Sequence, residues 1–157
     1  MSYQETLKVN DAINGRLGSV YLIKDGERRL MMEVKDVTAN FKKNKKEIPV
    51  LGASGAKHKA TGWSGSGSMT VYYGSSTLRE AAIKYINTGV DSYYELVITN
   101  EDPSSDIGRQ TITLTGVNFD DAVLAKLDVN NSELDEQINF TFHGCDMLEK
   151  FSEYVGE

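Results

Sequence analysis

The chain has 157 residues, 39% hydrophobic and 25% charged, with a net charge of −6 and a pI near 5.0. That length suits one domain able to bury about two-thirds of its unfolded surface. No apolar run approaches the roughly 18 residues of a membrane span, no basic-then-apolar secretory signal opens the sequence, and the acidic balance disfavours sequence-independent nucleic-acid binding over the whole surface.

In chain order, residues 1–12 are polar and aperiodic and read as a flexible arm; the rest, 13–157, reads as one domain. Asn14-Gly15 favours a turn. Val20 and Leu22 mark a short strand closed by Asp25-Gly26, a good turn pair. RRLMMEVKDVTANF, beginning at Arg28, reads as a long strand, with Val37, Ala39 and Phe41 on one side and Thr38, Asn40 and Lys42 on the other. A lysine cluster and a Gly-rich loop over residues 43–60 then lead to WSGSGSMTVYY, which alternates with period two. Two strands joined by so long a loop make an unusual hairpin, and loops of that length are usually functional or disordered. This arm is expected to meet another copy of the chain.

Residues 77–88 predict a helix. Thr77 and Glu80 form a capping box, Leu78, Ala81, Ala82, Tyr85 and Ile86 an apolar stripe expected to pack on a sheet, and Gly89 a C-cap. Tyr94, Leu96 and Ile98 mark the next strand, and residues 110–115 alternate after a turn-rich link. The stretch Asp120–Asp128 suits either a helical turn or a bulged strand. In 137–143, Ile138, Phe140 and Phe142 face one way and Gln137, Asn139, Thr141 and His143 the other. Asp146 and Glu149 suggest a second capping box opening a C-terminal helix, with Met147, Leu148 and Phe151 buried. The sum predicts a mainly β fold, a sandwich or barrel with one flanking helix and a long hairpin loop.

Three strand faces are unusually uniform: Ser64, Ser66, Ser68, Thr70; then Thr111, Thr113, Thr115; then Gln137, Asn139, Thr141, His143. Solvated faces usually mix Lys, Glu and Arg. Short uncharged side chains suit either plain β propensity or a smooth wetted wall without point charges to trap a polyelectrolyte.

Catalytic patterns are missing. GWSGSG departs from G-x-S-x-G at Ser66, and Lys57 lacks the flanking residues of a phosphate-cradling loop. His58 and His143 have no metal-ligand context. Asp128-Val-Asn130 begins like a calcium loop, but Glu133 replaces its glycine and Asn139 its final glutamate. Lys42, Lys43, Lys45 and Lys46 form a basic run without the interleaved aromatics of a single-strand binder, and read as a solvated tip or protein contact. Trp63 is expected to pack at the base of the arm, and Cys145, the single cysteine, to be a small buried hydrophobe. No enzyme, cofactor or metal site is expected.

INGRLG (13–18), TGWSGSGSMTVYY (61–73), YINTG (85–89), TNEDPSSDIGRQTITLTGVN (99–118), LAKLDVNNSELDEQINFTF (124–142) and DMLEKF (146–151) together resemble the core tail-tube proteins of contractile-tailed phages. The likeness extends to Gram-positive prophages, defective prophages and phage-tail-like bacteriocins. His143-Gly144-Cys145 departs from the acidic or aromatic residues that relatives tend to carry there. The resemblance implies hexameric rings stacked into a hollow conduit for DNA, a surrounding sheath, and baseplate initiator and terminator partners, without membrane contact. It places the protein in a virion tail or tail-like particle assembled in the bacterial host cytoplasm. On that reading Lys42, Lys43, Lys45, Lys46, Glu47, Lys57, His58 and Lys59 are inter-ring contacts. Ser64, Ser66, Ser68, Thr70, Thr111, Thr113, Thr115, Asn139 and Thr141 are lumen-facing candidates. The alternatives are the inner tube of a bacteriocin or secretion particle, and a ligand-binding β-sandwich.

Overall fold

The computed structural model describes residues 18–31, 34–52, 54–72, 76–103, 108–130 and 134–151. Within them the elements run β1 (Gly18–Lys24), β2 (Glu27–Leu30), β3 (Val34–Ile48), β4 (Lys57–Tyr72), α1 (Thr77–Thr88), β5 (Tyr94–Glu101), β6 (Arg109–Phe119), β7 (Asp135–Phe142) and β8 (Gly144–Glu149). The fold is mainly β, with one helix, as the alternation predicts. The expected arm over 1–12 lies outside the described residues. The chain divides into two compact units, one drawn from residues 1–32, 93–115 and 145–157 and the other from 33–92 and 116–144.

In the first unit β1 pairs antiparallel with β2 and with β5, setting Val20 opposite Ile98 and Leu22 opposite Leu96. Asp25 (φ 52°) and Gly26 (φ 80°) form the two-residue link between β1 and β2, and two successive positive φ values make it the hairpin turn that Asp-Gly favours. Met31 prolongs this pairing, donating its N–H to Val20 O at 2.8 Å. The expected single strand from Arg28 is therefore two. Its first part pairs with β1, and the chain resumes as β3 to pair with β4. Val20, Leu22, Met31, Tyr94, Leu96, Val97 and Leu114 are buried.

The expected C-terminal helix is a strand. β8 pairs with β6, and Arg109 of β6 forks onto the Glu149 carboxylate, with Nη2 donating to Oε1 at 2.8 Å. Asp146 takes the N–H of the next residue, Met147, at 2.9 Å, so it caps nothing. Met147, Leu148 and Cys145 are exposed. A short apolar run suits either period, and the pairing edge of β6 decides for strand.

In the second unit the strand order is β6 (its second half), β7, β4, β3. Met69, Val71, Val117, Ile138, Phe140 and Phe142 form its buried face. Helix α1 has the predicted bounds, and Gly89 (φ 72°) ends it in the left-handed conformation, donating its N–H to Tyr85 O. The N-cap is Ser76 rather than Thr77, and no side-chain cap bond forms; the Ser76 carbonyl accepts from Glu80 N–H. The apolar stripe is not buried: Leu78, Ala81 and Ala82 are half-covered, while Tyr85 (54%) and Ile86 (63%) face solvent. Residues 120–128 form neither a helical turn nor a strand.

Candidate functional site

The site begins with two glycines in β4. Gly65 lies opposite Phe142 and Gly67 opposite Phe140 in the β4–β7 register. A Cβ on Gly65 would stand 2.5 Å from the Phe142 ring, and one on Gly67 would stand 2.5 Å from the Phe140 ring and 2.4 Å from Thr38 O. Glycine weakens a strand unless something covers the gap, and here aromatic rings from the next strand lie across it. Trp63 adds to the row, its ring 6.0 Å from that of Phe142, and Phe119 meets Phe140 edge-on at 6.1 Å. Trp63 thus packs as expected on one side and stays half exposed on the other.

Period-two alternation puts the intervening residues on the opposite face. Ser66 pairs with Asn40 on β3 and with Thr141 on β7, and Thr141 pairs in turn with Asn118 on β6. Ser68 likewise lies between Thr38 and Asn139, and Thr70 between Asp36 and Gln137. One row of short polar side chains thus runs across four strands and two more across three. Aspartates trim the β6–β7 side: Asp121 accepts from the Asn139 backbone N–H at 3.1 Å and from its side-chain amide at 3.0 Å, and Asp91 accepts from Asn118 Nδ2 at 2.9 Å.

The structure brings Ser64, Ser66, Ser68, Thr70, Asn139 and Thr141 onto this one face of the second unit. Thr111, Thr113 and Thr115 belong to the first unit and do not form a uniform exposed row. Thr111 is buried, its hydroxyl 3.4 Å from that of Thr99. The Thr113 hydroxyl is buried without a partner, and Thr115 is exposed. Thr111 is therefore no surface residue of this chain. Its hydroxyl is matched by another strand residue, which alternation alone does not reveal.

The same ribbon continues past the end of β7. β3 and β4 stay paired out to Ile48 opposite Lys57, so the expected loop over 43–60 is mostly strand, and only residues 49–56 lie between the strands. A bulge interrupts it: Asn44 pairs with Gly62 and Lys45 with Ala60, leaving Thr61 extra, with its hydroxyl donating to Asn44 O at 3.1 Å. The lysines thus lie on a two-stranded ribbon that alternation sorts onto two faces. Lys42, Lys46, Lys57 and Lys59 share the side of Ser64; Lys43, Lys45, Glu47 and His58 share the side of Phe41 and Trp63. Phe41 (64%) and the tip residues Val50 and Leu51 (103%) stand exposed.

One node escapes the reading of periodicity. Arg79 on α1 donates from Nε to Val123 O at 2.9 Å and from Nη2 to Glu136 Oε1 at 3.4 Å, while Glu136 Oε2 accepts from Val123 N–H at 3.3 Å. Glu136 is buried and Arg79 partly so, and the pair ties α1 and the segment around Val123 to β7. The available signal was Glu136 itself, a carboxylate on the apolar parity of Ile138, Phe140 and Phe142. Such a charge demands a partner. Among the described residues, no group of three or more His, Cys, Asp or Glu side chains is placed to hold a metal.

This geometry is that of a surface rather than a cleft, and comparison with known proteins says which kind. The profile of the phage tail tube protein family matches residues 5–149. The chain belongs to that family. Phage tail tube proteins are structural subunits, and this one is a structural component of tail-like particles and not an enzyme. Among relatives, protein XkdM of the phage-like element PBSX of Bacillus subtilis is 38% identical over 147 residues, spanning 94% of this chain and 97% of its own. A solved Bacillus subtilis protein is 34% identical, with a TM-score of 0.53, over 86% of this chain and 98% of its own. The tube fold recurs in the sheath–tube complex of an extracellular contractile injection system, at 13% identity and a TM-score of 0.63, covering 88% of this chain and 93% of that one.

Proposed function

We propose that six copies of this tail-tube protein close edge to edge into a ring, and that rings stack head to tail into a hollow conduit for DNA within a contractile sheath. One observation carries the reading. The four-stranded sheet of the second unit ends at β3, a 15-residue edge strand, and between Asp36 and Lys42 one of its faces is paved with short uncharged side chains. A long open edge invites pairing with another chain, and closing it into a barrel removes the liability. The face with Phe140 and Phe142 packs into the subunit; the Ser64, Ser66, Ser68, Thr70, Asn139 and Thr141 face then lines the channel.

The projecting ribbon beyond β7 reaches the next ring. An isolated two-stranded ribbon is marginal on its own, and this one exposes Phe41, Trp63, Val50 and Leu51. Its basic segment, residues 42–59, holds six lysines and one glutamate, a balance of +5 against −11 for the remaining eleven cations and twenty-two carboxylates. A basic arm on an otherwise acidic chain favours head-to-tail stacking, which is open and propagates. The sheath protein, the baseplate initiator and the terminator are the further partners of such a tube in a virion tail, assembled in the host cytoplasm.

Electron microscopy of concentrated protein tests the reading. Rings or tubes are expected; a monomer at every concentration would overturn it.

A further inference from the structure

The register of the ribbon divides its lysines by chemistry as well as by side. Trp63, Phe41, Lys43, Lys45, Glu47 and His58 make a face of mixed charge with exposed aromatics, the composition of a protein contact. The opposite face carries Lys42, Lys46, Lys57 and Lys59 with only Asn44, Gly62 and Ile48 between them, and no carboxylate. Lys46 lies directly opposite Lys59, and like charges at opposed positions of a β pair repel. Among the described residues none of these four lysines has a hydrogen-bond or ion-pair partner. A face of uniform positive charge without internal compensation is matched to a polyanion.

From this we infer that Lys42, Lys46, Lys57 and Lys59 contact the phosphodiester backbone of duplex DNA inside the tube. The inference rests on the channel-wall reading above. It follows from continuity: Lys42 pairs with Ser64, one pleat from Ser66 and Asn40, so the lysine face is the wall face prolonged. The ribbon's right-handed twist turns the outer lysines progressively around the arm, which leaves Lys42 as the residue set most firmly at the wall. Six-fold repetition then places a sparse basic girdle at each ring, beyond the wall rows that carry Asp36, Asp91 and Asp121. Ammonium-to-phosphate contacts are point-like and screened by salt, so they hold the duplex weakly without reading its sequence.

The test uses tubes of the full chain, first imaged and then treated with a lysine-acetylating reagent, empty or assembled around short duplex DNA. In empty tubes the four lysines should react. Duplex DNA at low salt should slow their modification about tenfold, with the protection lost at high salt, while Lys43 and Lys45 stay unchanged. In a variant with all four changed to Gln, which lowers the ribbon's charge from +5 to +1 and so is expected to stack less, the duplex retained per unit length of tube should fall to about a tenth. Protection already complete in empty tubes would assign this face to a neighbouring copy and overturn the inference, as would lysines that DNA leaves unprotected. Absence of tubes on the images would instead sink the tube reading, and this inference with it.

Discussion

The two halves of the β3–β4 ribbon obey different economies. Near its base, β4 has strands on both sides, its glycines lie under Phe140 and Phe142, and everything it needs is in the same chain. Past Gly65, the last residue paired with β7, the ribbon has two strands, a bulge, exposed aromatics and unpartnered lysines. Continuous backbone pairing thus joins a half flanked by strands on both sides to a half that projects alone. On the proposed function the first half serves stability and the second assembly, and substitutions can separate them.

The sharpest break is Phe140→Ala, which empties the covering of Gly67 and should destabilise the isolated subunit by about 3–5 kcal/mol in urea unfolding. Gly67→Ala comes next, at about 1–3 kcal/mol, because the new methyl meets both the ring and the Thr38 carbonyl. In the outer half the balance reverses. Deleting residues 43–60 should leave a folded, soluble subunit that fails to stack; tubes of normal length would show that the arm has no such role. Thr141→Lys should change unfolding by no more than about 0.5 kcal/mol and leave tubes intact, yet impair DNA passage through the charge it adds to the wall. Unchanged infectivity of a phage carrying it would remove Thr141 from the channel.

Local rules carried the reading where pattern and fold agree. Helix α1, its Gly89 stop, the Asp25-Gly26 turn and the alternation of β7 all stand where residue chemistry puts them. The errors have one physical source, since each depends on a partner strand remote in sequence. Residues 144–149 are a strand because β6 offers an edge, and the lysine run is extended because Lys57–Trp63 pairs with it. Thr111 is interior because Thr99 faces it. Of the candidate wall residues, Ser64, Ser66, Ser68, Thr70, Asn139 and Thr141 share one face, as alternation within each strand predicts, and only the register revealed that Lys42 and Lys46 continue the same surface. The exposed stripe of α1 is apolar enough to predict a cover that the described residues do not supply.

The interleaving of the two units has a consequence for how such a chain is made. One unit needs segments up to residue 32, around 93–115 and past 145; the other needs 33–92 together with 116–144. As a ribosome releases the chain, β1 waits for β5 and β4 waits for β7, so neither unit can close until most of the sequence has emerged. The long hairpin can zip early, because its pairing is local, but the sheet of the second unit is incomplete until residue 142 is free.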